Sequence, residues 1–314
     1  MQNVHRTSSE IELSPNAQII SASRRTDIPA FYARWFLNRL REGFVEVANP
    51  FNPRQLQRVS LLPPHVIAIV FWTRNPRPLM PHLDWLQDKG YRFYFQWTLN
   101  RYPKPLEISG PDWRRTIDAF HELSQRLTPD HLQWRYDPIL FSTQTEPEWH
   151  LENFADLAQR LRGATRRCYI SFTDFYRKTR RNLDQLNSGL RYREPGVEEQ
   201  RAFVQNIQKI AAANNIELYA CCEDHLLTLP GVQKARCVDL QIIQQLYPEV
   251  QKQVPVQSTR PECGCVQSKD IGAYDSCLFR CTYCYANANF ETRSVPRFRR
   301  HRADHPMLIP KAEP

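Results

Sequence analysis

Residues 18–41, QIISASRRTDIPAFYARWFLNRLR, carry the pattern that decides the fold. The run Gln18–Ser23 is apolar and β-branched and reads as a strand; the polar turn Ser23-Arg24-Arg25-Thr26-Asp27 interrupts it; Ala30–Arg41 then takes up apolar spacing with a helical period. The same alternation recurs downstream. Strand windows fall at Val66–Trp72, Tyr91–Thr98, Leu132–Tyr136, Cys168–Phe172 and Ile216–Cys221, and helical stretches at Asp112–Leu127, Glu148–Leu161, Val197–Ala213 and Asp239–Leu246. Six strand windows alternating with helical stretches call for parallel strands joined by crossover helices. The predicted fold class is therefore α/β, as a TIM-barrel-like (β/α) repeat, with a closed or nearly closed barrel preferred over a doubly wound sheet.

Each strand window runs into polar, turn-forming residues, and in such barrels the carboxyl ends of the strands form the active-site rim. The candidate rim residues are Arg24, Arg25, Asp27, Arg74, Asn75, Arg135, Asp137 and Asp174, with Arg24, Arg25, Asp27, Arg135 and Asp137 the candidates for catalysis. Asp27, two residues before Pro29, equally fits a helix N-cap followed by an early proline. Adjacent Arg24 and Arg25 have no capping use, and cations there suit an anionic substrate.

The 314 residues, 41% of them hydrophobic and 24% charged, exclude disordered and fibrous classes. The apolar run Val66–Trp72 is far shorter than a membrane span, and Met1–Asn16 is polar, so no membrane partner and a cytoplasmic location are expected. A net charge of +9 rests on 34 arginines against eight lysines, which suits bidentate contacts to phosphate or carboxylate but equally a solvated surface. Beyond about residue 250 the chain turns polar and cysteine-rich. The expected division is a barrel-like body over 1–250, a cysteine-rich cluster-binding segment over 251–292 and a basic tail over 293–314. Nucleic acid is the alternative partner, with Arg293, Arg297, Arg299, Arg300 and Arg302 of that tail as cations and Phe290 and Phe298 as stacking groups.

Nine cysteines in a chain without a secretory leader read as metal or cluster ligands rather than disulfides. Cys277-x3-Cys281-x2-Cys284 brings three thiols inward on one short loop, enough for three irons of a cubane with the fourth iron left open, whereas structural zinc favours paired C-x2-C knuckles. Cys263 and Cys265, with Cys221 and Cys237, form the candidate for a second iron–sulfur cluster or a zinc site, Cys222 standing in for Cys221. Cys168, inside a strand window, reads as core.

The segment from Cys277 to Cys284, with Tyr283 just before the third cysteine, resembles the radical S-adenosylmethionine signature, and its extension to Asn287 is similar to the spore photoproduct lyase branch. Most of the chain resembles an uncharacterised bacterial domain-of-unknown-function family, in which a segment like Ser23–Pro29 opens the body and one like Cys263–Gly272 leads into the cluster loop. The resemblance implies a [4Fe-4S] cluster on Cys277, Cys281 and Cys284, S-adenosylmethionine on the open iron, Tyr283 near the adenine, and an electron donor such as flavodoxin or ferredoxin. The superfamily places this loop after the first strand. Its position here implies a circularly permuted or partial barrel, in which Asp270–Tyr274 is the strand that feeds the loop, or else a cluster module appended to a separate barrel. The alternative to an enzyme is an electron-transfer or structural protein whose cluster or zinc is fully ligated by protein.

Overall fold

The computed structural model describes residues 11–52, 54–186 and 189–311; the start of the polar leader and the last three residues of the basic segment lie outside that range. Twelve strands follow in chain order: β1 (Gln18–Ala22), β2 (Phe44–Ala48), β3 (Leu56–Ser60), β4 (Val66–Thr73), β5 (Phe93–Thr98), β6 (Leu132–Ile139), β7 (Phe141–Ser142), β8 (Arg167–Phe172), β9 (Tyr192–Arg193), β10 (Glu217–Ala220), β11 (Val232–Lys234) and β12 (Ser268–Asp270). Eight of them form one sheet in the order β11-β10-β8-β6-β5-β4-β1-β12, with every neighbouring pair parallel. β2 and β3 form an antiparallel hairpin, and β7 pairs with β9.

Both faces of the sheet are covered, which is why its strands read as nearly continuous apolar runs. Alternate residues such as Ile69, Phe71, Phe95, Trp134 and Ile170 pack against helices Ala33–Glu42, Trp113–Arg126, Pro147–Leu161 and Val197–Ala213 in one large core. The residues between them, including Val70, Tyr94, Tyr169 and Tyr219, join a second core with Val238, Ile243 and Val266. Towards the carboxyl ends of the strands this second face turns polar, with Gln96, Arg135, Asp137 and Ser171.

Three expectations change. The sheet is not a closed barrel: edge strands β11 and β12 share no ladder, and the antiparallel turn of chain 255–267, pinned by the Val256–Val266 bridge and the bonds Gln257 N to Cys265 O and Gln267 N to Pro255 O, lies where a closing parallel pair would be. The edges meet through Val266 N, which donates to Val238 O at 3.1 Å. The strand feeding the cysteine loop is Ser268–Asp270 rather than Asp270–Tyr274, because Asp270 turns its carboxylate to the loop after β1 and ends the pairing there. That strand lies beside β1, so the cysteine-rich segment completes the same sheet as the body. Finally, the segment after Arg293 packs on helix Ala33–Glu42. Trp35 Nε1 donates to His305 O at 2.9 Å and Asn38 Nδ2 to Ala303 O at 3.0 Å, while Leu308 and Ile309 are buried. Phe298 is stacked against His301 and edge-on to Tyr32, and Phe290 lies under Arg280; Phe298 is therefore committed to packing rather than presented for base stacking.

Candidate functional site

The carboxyl ends of the parallel strands open into a cavity of about 930 Å³. The chain after β1 contributes Arg24 and Arg25, β4 Trp72, β6 Arg135 and Asp137, β8 Ser171, the turn after it Asp174, and the chain after β10 and β11 contributes Cys221, Cys222 and Cys237. The 255–267 turn adds Arg260, Cys263 and Cys265, and the cysteine loop adds Tyr283 and Tyr285. Phe51, 96% exposed at the tip of the β2–β3 hairpin, stands at the rim. The rim expected from the strand-end residues thus exists, although not every candidate faces it.

Arg24 donates to Thr259 Oγ1 at 3.3 Å and Ser268 Oγ at 3.2 Å, and Arg25 lies 3.9 Å from Asp270 and over the Tyr274 ring. Arg135 is buried, ion-paired with Asp137 and bonded to Cys237 Sγ at 2.9 Å; Asp137 also accepts from Ser171 Oγ. Asp174 pairs with Arg260. Asp27 does not line the cavity. Its carboxylate accepts from Ala30 N at 2.9 Å, Thr73 Oγ1 at 2.8 Å and Arg74 N at 2.6 Å, so it caps the turn after β1 and fastens it to the turn after β4. Burial pushes its acid up to about 7, against the pull of those bonds. Asp27 is accordingly a positioning residue, and its assignment to catalysis is corrected. Asn75 likewise serves its own turn, donating N–H to Thr73 Oγ1 and accepting from Arg77 N.

The cysteine loop is moored on all sides. Asp270 accepts from Ser21 Oγ, Ser23 Oγ and the amides of Arg24 and Gly272 at 2.6–3.0 Å. At Gly272 the loop crosses the turn after β1 so closely that a Cβ would lie 2.1 Å from Ser23 Oγ and 2.6 Å from its Cβ, which only glycine permits. Tyr32 Oη donates to Ser276 O, Asn287 Nδ2 to Cys277 O, and Thr282 N to Leu106 O. Cys277, Cys281 and Cys284 lie half-buried on this loop. Burial pushes all three thiols up, Cys281 to about 12. They act on one another through charge, with no hydrogen bond between them among the described residues, and Cys284 Sγ accepts from Ala286 N at 3.3 Å.

Beside them is a network the sequence did not announce. Arg74 donates to Cys281 Sγ at 3.1 Å and Tyr283 Oη at 3.0 Å and pairs with Glu107 at 2.5 Å; Tyr283 Oη in turn donates to Glu107 Oε1 at 2.5 Å. Glu107 sits in a stretch without motif or regular pattern, and no sequence signal pointed to it. Tyr283 borders the cavity, while its hydroxyl is committed to this network and to Asn100.

On the cavity wall five other cysteines converge. Cys221 and Cys237 Sγ stand 3.5 Å apart, and Cys222, Cys263 and Cys265 complete a chain of facing thiols. Hydrogen bonds from Cys221 and Cys265, with Arg135, pull Cys237 well below the usual thiol range; Cys222 and Cys265 draw Cys263 down in the same way. Cys168 is buried in β8 on the helix-facing side, as expected of a core residue.

Fold and site together define a parallel α/β protein with five cysteines lining a cavity at the carboxyl edge of its sheet and a three-cysteine loop that borders the same cavity through Tyr283 and Tyr285. The chain belongs to the family described as a domain of unknown function, DUF1848, which matches residues 19–286 and so spans the sheet and both cysteine groups. No curated protein matches it. No described helix is long and apolar enough to cross a membrane.

Proposed function

We propose that the protein is a radical S-adenosylmethionine enzyme in which Cys277, Cys281 and Cys284 ligate a [4Fe-4S] cluster and an anionic substrate occupies the neighbouring cavity. The observation that carries this reading is the loop itself: three half-buried thiols at a C-x3-C-x2-C spacing, not hydrogen-bonded to one another among the described residues, on a loop that borders through Tyr283 and Tyr285 a cavity lined by Arg24, Arg25 and Arg135. The residues fit the group. Three thiols leave one iron of a cubane without a protein ligand, and N–H donors at Cys281 and Cys284 suit thiolate sulfur. When bound, the cluster and cofactor supply a one-electron reductive cleavage that yields a 5′-deoxyadenosyl radical for hydrogen abstraction. The order of strands supports the permuted alternative: a terminal strand beside β1 feeds the loop, as it would if the strand that comes first in the superfamily stood last here.

The protein's own residues have separable tasks. Arg74 offers positive charge to Cys281 and ties the loop, through Glu107, to the turn after β5. Arg24 and Arg25 face the cavity with hydrogen-bonded or partly paired guanidinium groups suited to phosphate or carboxylate. Trp72, under Arg24 and Arg135, holds both cations by their faces. Electrons would arrive from a flavodoxin- or ferredoxin-like donor.

The test is anaerobic reconstitution, iron and sulfide analysis, then reduction with S-adenosylmethionine and assay for 5′-deoxyadenosine. About four irons per loop site, with cleavage abolished in Cys281→Ala, is the expected result. A reconstituted cluster that never cleaves the cofactor would move the protein to the electron-transfer class.

A further inference from the structure

The five remaining polar-face cysteines come from three separate places: the end of β10 (Cys221, Cys222), the chain after β11 (Cys237) and the turn before β12 (Cys263, Cys265). They nonetheless meet in a ring. Cys221 faces Cys222 and Cys237, Cys237 faces Cys265, Cys265 faces Cys263, and Cys263 faces Cys222. Core cysteines scatter as small hydrophobes; a core has no use for five thiols gathered on a cavity wall. Two further observations separate this group from packing. Three sulfurs already accept from donors that are not cysteines: Cys237 from Arg135 at 2.9 Å, Cys265 from Val238 N at 3.4 Å and Cys263 from Thr259 Oγ1 at 3.6 Å, which favours thiolates over thiols. Cys222 holds a left-handed backbone conformation, φ +57°, uncommon for a side chain of its size and of the kind that persists where surroundings demand it.

Spacing decides what the ring would hold. Four thiolates bound to a single ion at about 2.3 Å stand about 3.8 Å apart along the edges of a tetrahedron, near the 3.5 Å between Cys221 and Cys237. The loop thiols, by contrast, do not hydrogen-bond one another, as befits ligands spread over separate irons. As they stand the ring thiols bond to each other, and no three donor side chains among the described residues surround a metal-sized centre, so an ion would enter by displacing thiol protons.

We propose that Cys221, Cys237, Cys263 and Cys265, with Cys222 adjoining, form a second metal site that takes a single thiophilic ion of the zinc type, independent of the cysteine loop. The experiment uses the full chain with Cys277, Cys281 and Cys284 all replaced by alanine, equilibrated with Zn²⁺ under reducing conditions, desalted and analysed for metal. About one zinc per chain is expected, with a rise in Tm on zinc addition. Adding Cys237→Ser and Cys265→Ser should weaken zinc binding by more than about tenfold and remove the Tm response, whereas adding Cys168→Ser should leave both unchanged. Far-UV circular dichroism of the metal-free variants checks folding, and Cys263→Ser alone serves if the double change unfolds the chain. Failure of the loop-deleted protein to bind zinc overturns the proposal, as does its reconstitution with an iron–sulfur chromophore in place of one ion. Because the loop thiols are absent throughout, neither result depends on whether the loop carries radical chemistry.

Discussion

The two cysteine groups lie at one cavity, the ring lining it and the loop bordering it through Tyr283 and Tyr285, but are built on opposite principles. The loop group lies within eight consecutive residues and is positioned from outside, by Asp270, Asn287, Tyr32 and the Arg74–Glu107 pair. The ring group is gathered from strand ends far apart in sequence and is positioned mainly by its own members, with Arg135 and Arg260 supplying positive charge. Their electrostatics differ as well: the loop thiols adjoin the carboxylates of Asp27 and Glu107 along with the Arg74 guanidinium, whereas the ring thiols draw their charge from Arg135 and Arg260. A loop that can be moved as a unit needs external moorings. A ring assembled by the sheet needs only the sheet.

The largest expected effect that tests this contrast is at Arg74. Arg74→Ala leaves the Glu107 carboxylate buried without its cation and removes the donor to Cys281 and Tyr283, so a loss of about 3–5 kcal/mol is expected in denaturant unfolding. Arg135→Ala also strips a carboxylate of its partner, but Asp137 keeps Ser171 and lines the cavity, so a smaller loss of about 1–3 kcal/mol is expected. Equal losses would mean that the loop is no more dependent on its moorings than the ring. Next comes Gly272→Ala, which drives a Cβ into Ser23 where loop and β1 turn cross. A loss of about 1–3 kcal/mol is expected, with lower iron content at the loop and unchanged zinc at the ring in the loop-deleted background.

The same contrast explains what was legible in the sequence. The loop cysteines were legible as a group because one short segment carries them all. The ring was readable only as a suggestion, since Cys221, Cys237 and Cys263 become neighbours through the strand order, and no local pattern encodes that order. Strands β1, β4, β5, β6, β8 and β10 were legible because sheets buried on both faces write themselves as apolar runs; β11 and β12, three residues each, were too short to stand out, and the hairpin β2–β3 carries mixed polarity. Asp270 and Glu107 escaped notice as site residues for a related reason. Each matters through partners brought by the tertiary fold, and neither sits in a residue pattern that chemistry alone would flag.

The smallest effect concerns the acidic flank of the loop. Asp27 titrates near 7 in the folded protein and near 4 in an unfolded chain, so between those values the unfolded state has released a proton that the folded state still holds. The sign follows directly: this carboxyl's contribution to stability falls as pH rises from about 4 to about 7 and is level above that. Glu223, also raised to about 7 by burial, slopes the same way. Asp27→Asn removes one slope and leaves the other. The asparagine also loses the bond from Arg74 N, which lowers stability at every pH by about 1 kcal/mol. Unfolding curves at pH 5 and pH 7.5 should therefore show the wild type losing more stability than the variant over that interval. Parallel curves would place an ionised Asp27 beside Cys277 across the whole range, and the loop would then carry a standing negative flank against the thiolates that the proposed cluster requires.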